Sequence, residues 1–262
     1  MKYHYLLRHH ALLDESEEFI QHDRITYFES TPEAFPPSLI YLLIEKEGQD
    51  LKNNGNSHVK LVQHGQQRIV VKEPKGKNKR LQSRLISIFK RSRAFYAAQS
   101  LLFVRNASIE ASRPLCVLER RRFGMIVYSV IFYEYLEGRA IQKGDFPALA
   151  DTVKRITDLG YGHSDCHQGN FIYTDHGIAP IDFVLKKNWF GKLFVDFQYL
   201  KLFHALPEQE FRKLCHHDNS RIVISRGLFK LKTNMRKLKN HIKSHKYLII
   251  LILLFYVYVS IP

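Results

Sequence analysis

The sequence predicts an α+β fold of two lobes, a small antiparallel sheet followed by a mainly helical half, with a cleft between them. Three observations predict it. Short apolar runs of strand character cluster between residues 41 and 73, a long helical repeat follows at 80–104, and a second helix at 145–162 leads into a short hairpin ending near residue 183. Strands first and helices last is the order of segregated layers, and the groove between such layers is where small ligands bind.

Residues 1–40 read as an N-terminal extension carrying a helix or a strand or two, punctuated by TPEAFPP at 31–37. YLLIEKE (41–47) reads as a strand and NNGNS (53–57) as a polar loop. HVKLVQ (58–63) and QRIVVKE (67–73) flank His64-Gly65 and read as a hairpin. In RLQSRLISIFKRSRAFYAAQSLLFV (80–104), Leu81, Leu85, Ile88, Phe89, Phe95 and Leu102 recur at helical spacing, which predicts one long helix. MIVYSVIFYEYLEG (125–138) reads as a buried strand ending in a turn, and DFPALADTVKRITDLGYG (145–162) as a helix stopped by Gly160 and Gly162. FIYTD and IAPIDF are two short strands joined by His176-Gly177, after which the chain reads as mostly helical. The divisions that follow are an extension at 1–40, a sheet lobe at 41–135, a helical lobe at 136–225 and a tail at 226–262.

The 262 residues are 45% hydrophobic and include 18 Phe, enough to fill a core, so a chain disordered throughout is excluded. A formal charge of +15 points to an anionic partner: nucleic acid, acidic lipid or a phosphorylated substrate. Cys116, Cys166 and Cys215 lack metal-ligand spacing and leave one over if two pair, which favours free thiols in a reducing compartment. MKYHYLLRHHALLDESEEF has no apolar run long enough for a secretory signal, so the protein is expected on the cytoplasmic side.

The chemistry concentrates in GHSDCHQGNFIYTDHGIAPIDF, residues 162–183. Asp165 and Asn170 lie five apart, and Asp182 follows at the end of the apolar strand IAPID. A hairpin at 171–181 returns Asp182 towards Asn170. Phosphoryl transfer asks for such a set: a carboxylate at the acceptor hydroxyl, Mg²⁺ across the phosphates and a cation on the nucleotide. One carboxylate and one amide oxygen suit Mg²⁺, which keeps several waters. The same residues also suit ordinary loop polars, and His163-x-Asp165-x-His167 a transition-metal cluster. Cys166 reads as packing, because no His and acid arrangement activates it as a nucleophile. A nucleic-acid partner explains the charge but not this loop, and none is expected.

HSDCHQGNFI followed by IDF resembles the loop and downstream metal-aspartate pattern of the protein-kinase-like superfamily, in its aminoglycoside-phosphotransferase and lipopolysaccharide-kinase branches. With QRIVVKEPKGKNKR, FYEYLEGRAI and the basic RGLFKLKTNMRKLK, it is most similar to the lipopolysaccharide core heptose(II) kinase family, in order over residues 40–245. The resemblance implies a two-lobed protein-kinase-like fold, ATP and Mg²⁺ as cofactors, and transfer to a sugar hydroxyl of a lipid-linked core oligosaccharide. Another acceptor, a small molecule or a protein, and a non-catalytic binding module on the same fold are the alternatives. It implies Asp165 as catalytic base, His167 as a structural loop histidine, and Asn170 and Asp182 as metal ligands. Lys72 would contact the nucleotide phosphates, Glu134 to Leu136 would meet adenine through the backbone, and Asp196 in FVDFQYL would brace the catalytic loop.

One departure stands out. A glutamate on the helix usually pairs the strand lysine, yet between Glu73 and Glu110 there is no Asp or Glu and there are nine Lys or Arg. Gln99, Asp182 or phosphate itself are the partners left for Lys72. The phosphate loop NNGNS is also reduced to one glycine.

At the C-terminus, YLIILILLFYVYVSIP (247–262) carries no charged side chain. Sixteen helical residues reach about 24 Å, just short of a ~30 Å hydrocarbon core. Leu228, Leu231, Met235, Leu238 and Ile242 form an apolar stripe ahead of it, and from 219 onward there are nine Lys or Arg and no acid. A basic amphipathic helix entering an apolar tail predicts attachment to an anionic membrane surface. With the resemblance, it places the protein on the cytoplasmic face of the inner membrane, peripheral or tail-anchored.

Overall fold

The computed structural model of the chain describes residues 4–8, 21–75, 81–163, 165–188, 191–203, 206 and 208–214, with 227, 230 and 234. It divides into two units, Met1–Asn188 and Trp189–Pro262.

The first unit is built on a seven-stranded antiparallel sheet. Its strands are β1 (His4–Arg8), β2 (Gln21–Tyr27), β3 (Gln49–Asn53), β4 (His58–His64), β5 (Gln67–Glu73), β6 (Pro114–Arg122) and β7 (Met125–Glu134), in the order β1-β2-β6-β7-β5-β4-β3. Two of its strands thus come from the first 40 residues, and β6 from a stretch the sequence left unread. Both faces of the sheet are covered, which is why β5 and β7 read as unbroken apolar runs rather than alternating ones. Val70, Ile131 and Tyr133 enter one core cluster, while Ile69, Val71, Val130 and Phe132 enter the other. That is the period-two alternation of strand side chains.

YLLIEKE is a helix, not a strand. It forms the end of α1 (Pro37–Glu45), whose buried residues Pro37, Ile40 and Leu43 step by three, with Ile40 and Leu43 in the second cluster. Pro37 occupies the first helical turn, where its missing N–H costs nothing. The long helix expected at 80–104 is two, α2 (Leu81–Ile86) and α3 (Arg93–Asn106). The break is held by the sheet. Ser92 caps α3 by accepting the Phe95 N–H at 3.0 Å, and its own N–H donates to the buried Glu119 at 2.6 Å. Arg91 donates to the other Glu119 oxygen at 2.8 Å. A continuous helix would forfeit all three bonds. The β4–β5 hairpin turns at Gly65-Gln66, one residue beyond the expected pair, with Gly65 at φ 58° supplying the left-handed conformation.

Beyond β7 come β8 (Arg139–Ala140), α4 (Phe146–Asp158), β9 (Tyr161–His163), β10 (Phe171–Thr174), β11 (Gly177–Pro180) and β12 (Leu185–Lys187). α4 buries Leu149, Val153 and Ile156 on one stripe and ends at Gly160, φ 83°. β11-β10-β8 form a three-stranded sheet and β12-β9 a pair.

The second unit contains α5 (Lys192–Phe203) and α6 (Glu208–Leu214), with Asp196, Tyr199, Phe203 and Phe211 buried. The predicted basic helix and apolar tail lie outside the described residues, save for 227, 230 and 234. Among the described residues no helix is long and apolar enough to cross a membrane.

Candidate active site

Lys72 lies on β5 between Val59 of β4 and Ile131 of β7. It follows Val70 by two, so its side chain leaves the sheet on the face that α3 covers. Asp182 comes just after β11. Lys72 Nζ and Asp182 Oδ1 meet at 2.7 Å. Burial pushes the Lys72 ammonium below its ordinary value, and the Asp182 charge restores part of the loss. Burial alone would raise the Asp182 carboxyl. Lys72, its hydrogen bond, Arg93 and Lys52 together outweigh that and hold it below the usual carboxylate range. The partner left open by the acid-free helix is therefore Asp182. Gln99 is exposed on α3.

The loop at 163–170 is tied to itself. His163 is buried against the rings of Phe171 and Phe183, at 5.5 and 4.9 Å between centroids. Its Nδ1 accepts the Asp165 N–H at 3.0 Å. Asn170 Nδ2 donates to the Asp165 carbonyl at 2.8 Å, and the Asn170 carbonyl accepts the Ile181 N–H at 3.0 Å, linking the loop to the end of β11. Both backbone groups of Asp165 are thus held while its carboxylate, 72% exposed, projects outward. His167 Nε2 is 3.7 Å from Asp165 Oδ2, beyond hydrogen-bond length. Cys166 is buried, as a packing residue would be.

Two cavities adjoin at the ion pair, sharing Lys52, Lys72 and Asp182. One, about 360 Å³, is polar and includes Asn56, Ser57, Arg93 and Asp165 on its wall. The other, about 390 Å³, is mostly apolar, with Val59, Val70, Tyr133, Leu136, Asn170 and Ile172. Lys72, Asp165, Asn170, Asp182 and Leu136 are thus brought to this pair of cavities. Glu134 is not on either wall: its N–H donates to the Arg113 carbonyl at 3.0 Å, and its carboxylate accepts from Arg113 Nη1 at 3.0 Å. Gly138 pinches the apolar cavity. A Cβ there would lie 2.6 Å from the Tyr173 carbonyl oxygen of β10. Asp196 is buried on α5 of the second unit.

Sequence reasoning missed Lys52 and Arg93. Arg68, Arg91, Arg105, Arg113, Arg120 and Arg139 all bond carboxylates. Among the described residues no carboxylate is bonded to Lys52 or Arg93, and both face the polar cavity. For Arg93 the signal was present in the nine unbalanced cations between Glu73 and Glu110, but only the fold separates those on the cavity from those elsewhere; Lys52, just before the polar loop, had no such signal.

The site fits a hard divalent cation better than a transition metal. Among the described residues no group of three or more His, Cys, Asp or Glu is placed to hold a metal, and His163 Nδ1 is already committed to the Asp165 N–H. Asn170 spends its Nδ2 on a carbonyl, which leaves Oδ1 as its ligating atom. Asp182 keeps Oδ2 beside the oxygen bonded to Lys72. An amide and a carboxylate oxygen on one wall, with room for water, is a donor set for Mg²⁺.

No protein-family model and no curated protein matches the sequence. Solved structures with some likeness include WaaP in complex with acyl carrier protein (13% identity, TM-score 0.48, covering 78% of this chain and 96% of that one). They also include a putative fructosamine-3-kinase from Haemophilus somnus 129PT (11%, 0.47, 74% and 85%). A third is WbdD (15%, 0.46, 72% and 46%). At these values the likenesses carry no functional conclusion, which rests on the residues described above.

Proposed function

We propose that this chain is an ATP- and Mg²⁺-dependent phosphotransferase that acts on a hydroxyl, with a heptose of the lipopolysaccharide inner core as acceptor. The observation that carries the reading is the Lys72–Asp182 pair standing where an apolar cavity meets a cationic one that includes Asp165. The apolar cavity, with Leu136 and Tyr133 on its wall, takes the base and ribose of the nucleotide. Lys72, Lys52 and Arg93 hold its phosphates. Asn170 and Asp182 would hold a divalent cation, which would supply positive charge to the transferring phosphate.

Asp165 receives the acceptor. Its carboxylate takes the hydroxyl proton as the new oxygen–phosphorus bond forms and the bond to the departing ADP breaks. The buried His163 and Asn170 aim it by fixing its backbone on both sides. His167 supports the loop. The resemblance supplies the acceptor class. The predicted basic helix and apolar tail would carry the enzyme to the cytoplasmic face of the membrane in which that lipid-linked acceptor sits.

The test is incubation of the purified chain with γ-labelled ATP and Mg²⁺ against dephosphorylated core oligosaccharide, small hydroxyl compounds and a protein mixture. Label on the oligosaccharide alone is the expected result. Label elsewhere retains the phosphotransferase and rejects the heptose. ATP binding without transfer to any acceptor leaves a binding module on this fold.

A further inference from the structure

We propose that the face formed by residues 84–90 and the Arg122–Gly124 turn docks on an anionic lipid bilayer. It is separate from the predicted tail and does not depend on the phosphotransferase reading.

The apolar side chains Leu85, Ile86, Ile88, Phe89 and Phe123 are exposed together. Phe89 is 89% exposed and Phe123 57%, so neither serves the core. The turn and the 84–90 segment belong to one surface. A Cβ on Gly124 would lie 3.9 Å from Ile88 Cγ2, and the Ile126 N–H donates to Ser87 Oγ at 2.8 Å. A single guanidinium fastens them. Arg121 donates to the carbonyls of Ser87, Gly124 and Lys90 at 3.1, 2.7 and 2.9 Å. Phe123 is held at φ 50°, in the left-handed region that is costly for a bulky side chain, and its ring is left 57% exposed.

The rim of this prominence is basic. Arg122 stands 5.6 Å from the Phe123 ring centroid. Lys90 and Arg24 line a shallow depression of about 420 Å³ beside Phe89. Among the described residues no carboxylate is bonded to Lys90, Arg24 or Arg122. The buried carboxylates Asp23 and Glu119 are spent on Arg120 and Arg91. An apolar prominence with a cationic rim matches the boundary between acyl chains and anionic headgroups, where the rings bury and the cations meet phosphate. A nucleic acid would satisfy the cations and leave the rings in water. A second copy of the same face would set like charges against each other.

The experiment uses the full chain with vesicles of phosphatidylcholine, with and without phosphatidylglycerol. Phe89→Trp with bromine-labelled acyl chains reports insertion at this face whatever the tail does. The wild-type chain, with its one tryptophan, Trp189, supplies the background. Quenching of the introduced indole above that background, in anionic vesicles only, is expected. In the Phe89→Trp chain, Phe123→Ser should reduce that quenching by about tenfold, and Lys90→Glu with Arg122→Glu should abolish its dependence on anionic lipid, whatever the tail contributes. An introduced indole that is not quenched overturns the proposal, and so does a face whose substitutions alter only self-association in solution.

Discussion

Lys72 Nζ and Asp182 Oδ1 meet at 2.7 Å with no acid on the adjoining helix α3, so the lysine that would hold phosphate and the carboxylate that would hold metal neutralise each other directly. Each is the other's principal counter-charge, and on the proposed function a nucleotide with its cation would have to rearrange that bond. Lys72→Met and Asp182→Asn should each reduce phosphate transfer by about 10²–10³, the usual cost of losing one preorganised charge at a transferring group. Single-turnover rates at saturating ATP check this. A wild-type rate in either variant removes the pair from the mechanism.

Asp165→Ala should lower transfer by about 10²–10⁴, the range for a missing general base, while leaving nucleotide affinity and membrane attachment as in wild type. Its carboxylate is 72% exposed and accepts no hydrogen bond among the described residues, so stability should change little. Fluorescent-nucleotide titration alongside the transfer assay separates the two effects.

Lys52→Ala and Arg93→Ala should each weaken ATP binding by about 10- to 100-fold, as expected for a charge-assisted phosphate contact, and AMP binding far less. Isothermal titration with both nucleotides measures the difference. Equal losses for ATP and AMP would show that these cations do not reach the outer phosphates.

Asp182 also carries a pH signature. Its carboxyl is held below 3.8 in the folded protein, so the folded state releases this proton more readily than the unfolded one. The stabilisation is complete above pH 3.8 and is lost as pH falls through the lowered value. Asp182→Asn should therefore be less stable than wild type near neutrality, by about 1–2 kcal/mol for a half-buried pair. The gap should close below pH 3.8. Urea midpoints of the two proteins across that range give the test.

Glu119 is fully buried and accepts from Arg91 and from the Ser92 N–H at the head of α3. Glu119→Ala takes from the Arg91 guanidinium the carboxylate it bonds, leaving its contacts with Thr26 and Phe95, and should cost about 3–5 kcal/mol. Glu119→Gln keeps acceptor and shape and should cost less. Thermal unfolding ranks them. Because α3 carries Arg93, the variant that unfolds more easily should also bind ATP less tightly.

The sequence carried the local chemistry better than the tertiary context. The 165–182 motif was legible because its spacing encodes a loop and hairpin that close on themselves through Asn170, and β4 and β5 because two short runs rich in β-branched residues flank a glycine turn. YLLIEKE misled because α1 buries Ile40 and Leu43 against a sheet, and its four-residue apolar run, Tyr41 to Ile44, is too short to show a period of its own. The break before α3 was invisible because Glu119, 27 residues downstream of Ser92, makes it. Lys52 and Arg93 were lost among many cations, since only folding decides which of them face a common cavity.

Gly138 closes the apolar cavity with main chain rather than with a side chain, its missing Cβ lying against the Tyr173 carbonyl. That border is hard to redraw by mutation. Exchanging residues around it can change how the cavity grips a ligand, but widening it at this point means moving a strand that begins beside Asn170. An inhibitor series should therefore meet a fixed size limit on this side and gain its selectivity elsewhere, from Tyr133, Tyr135 and Leu136.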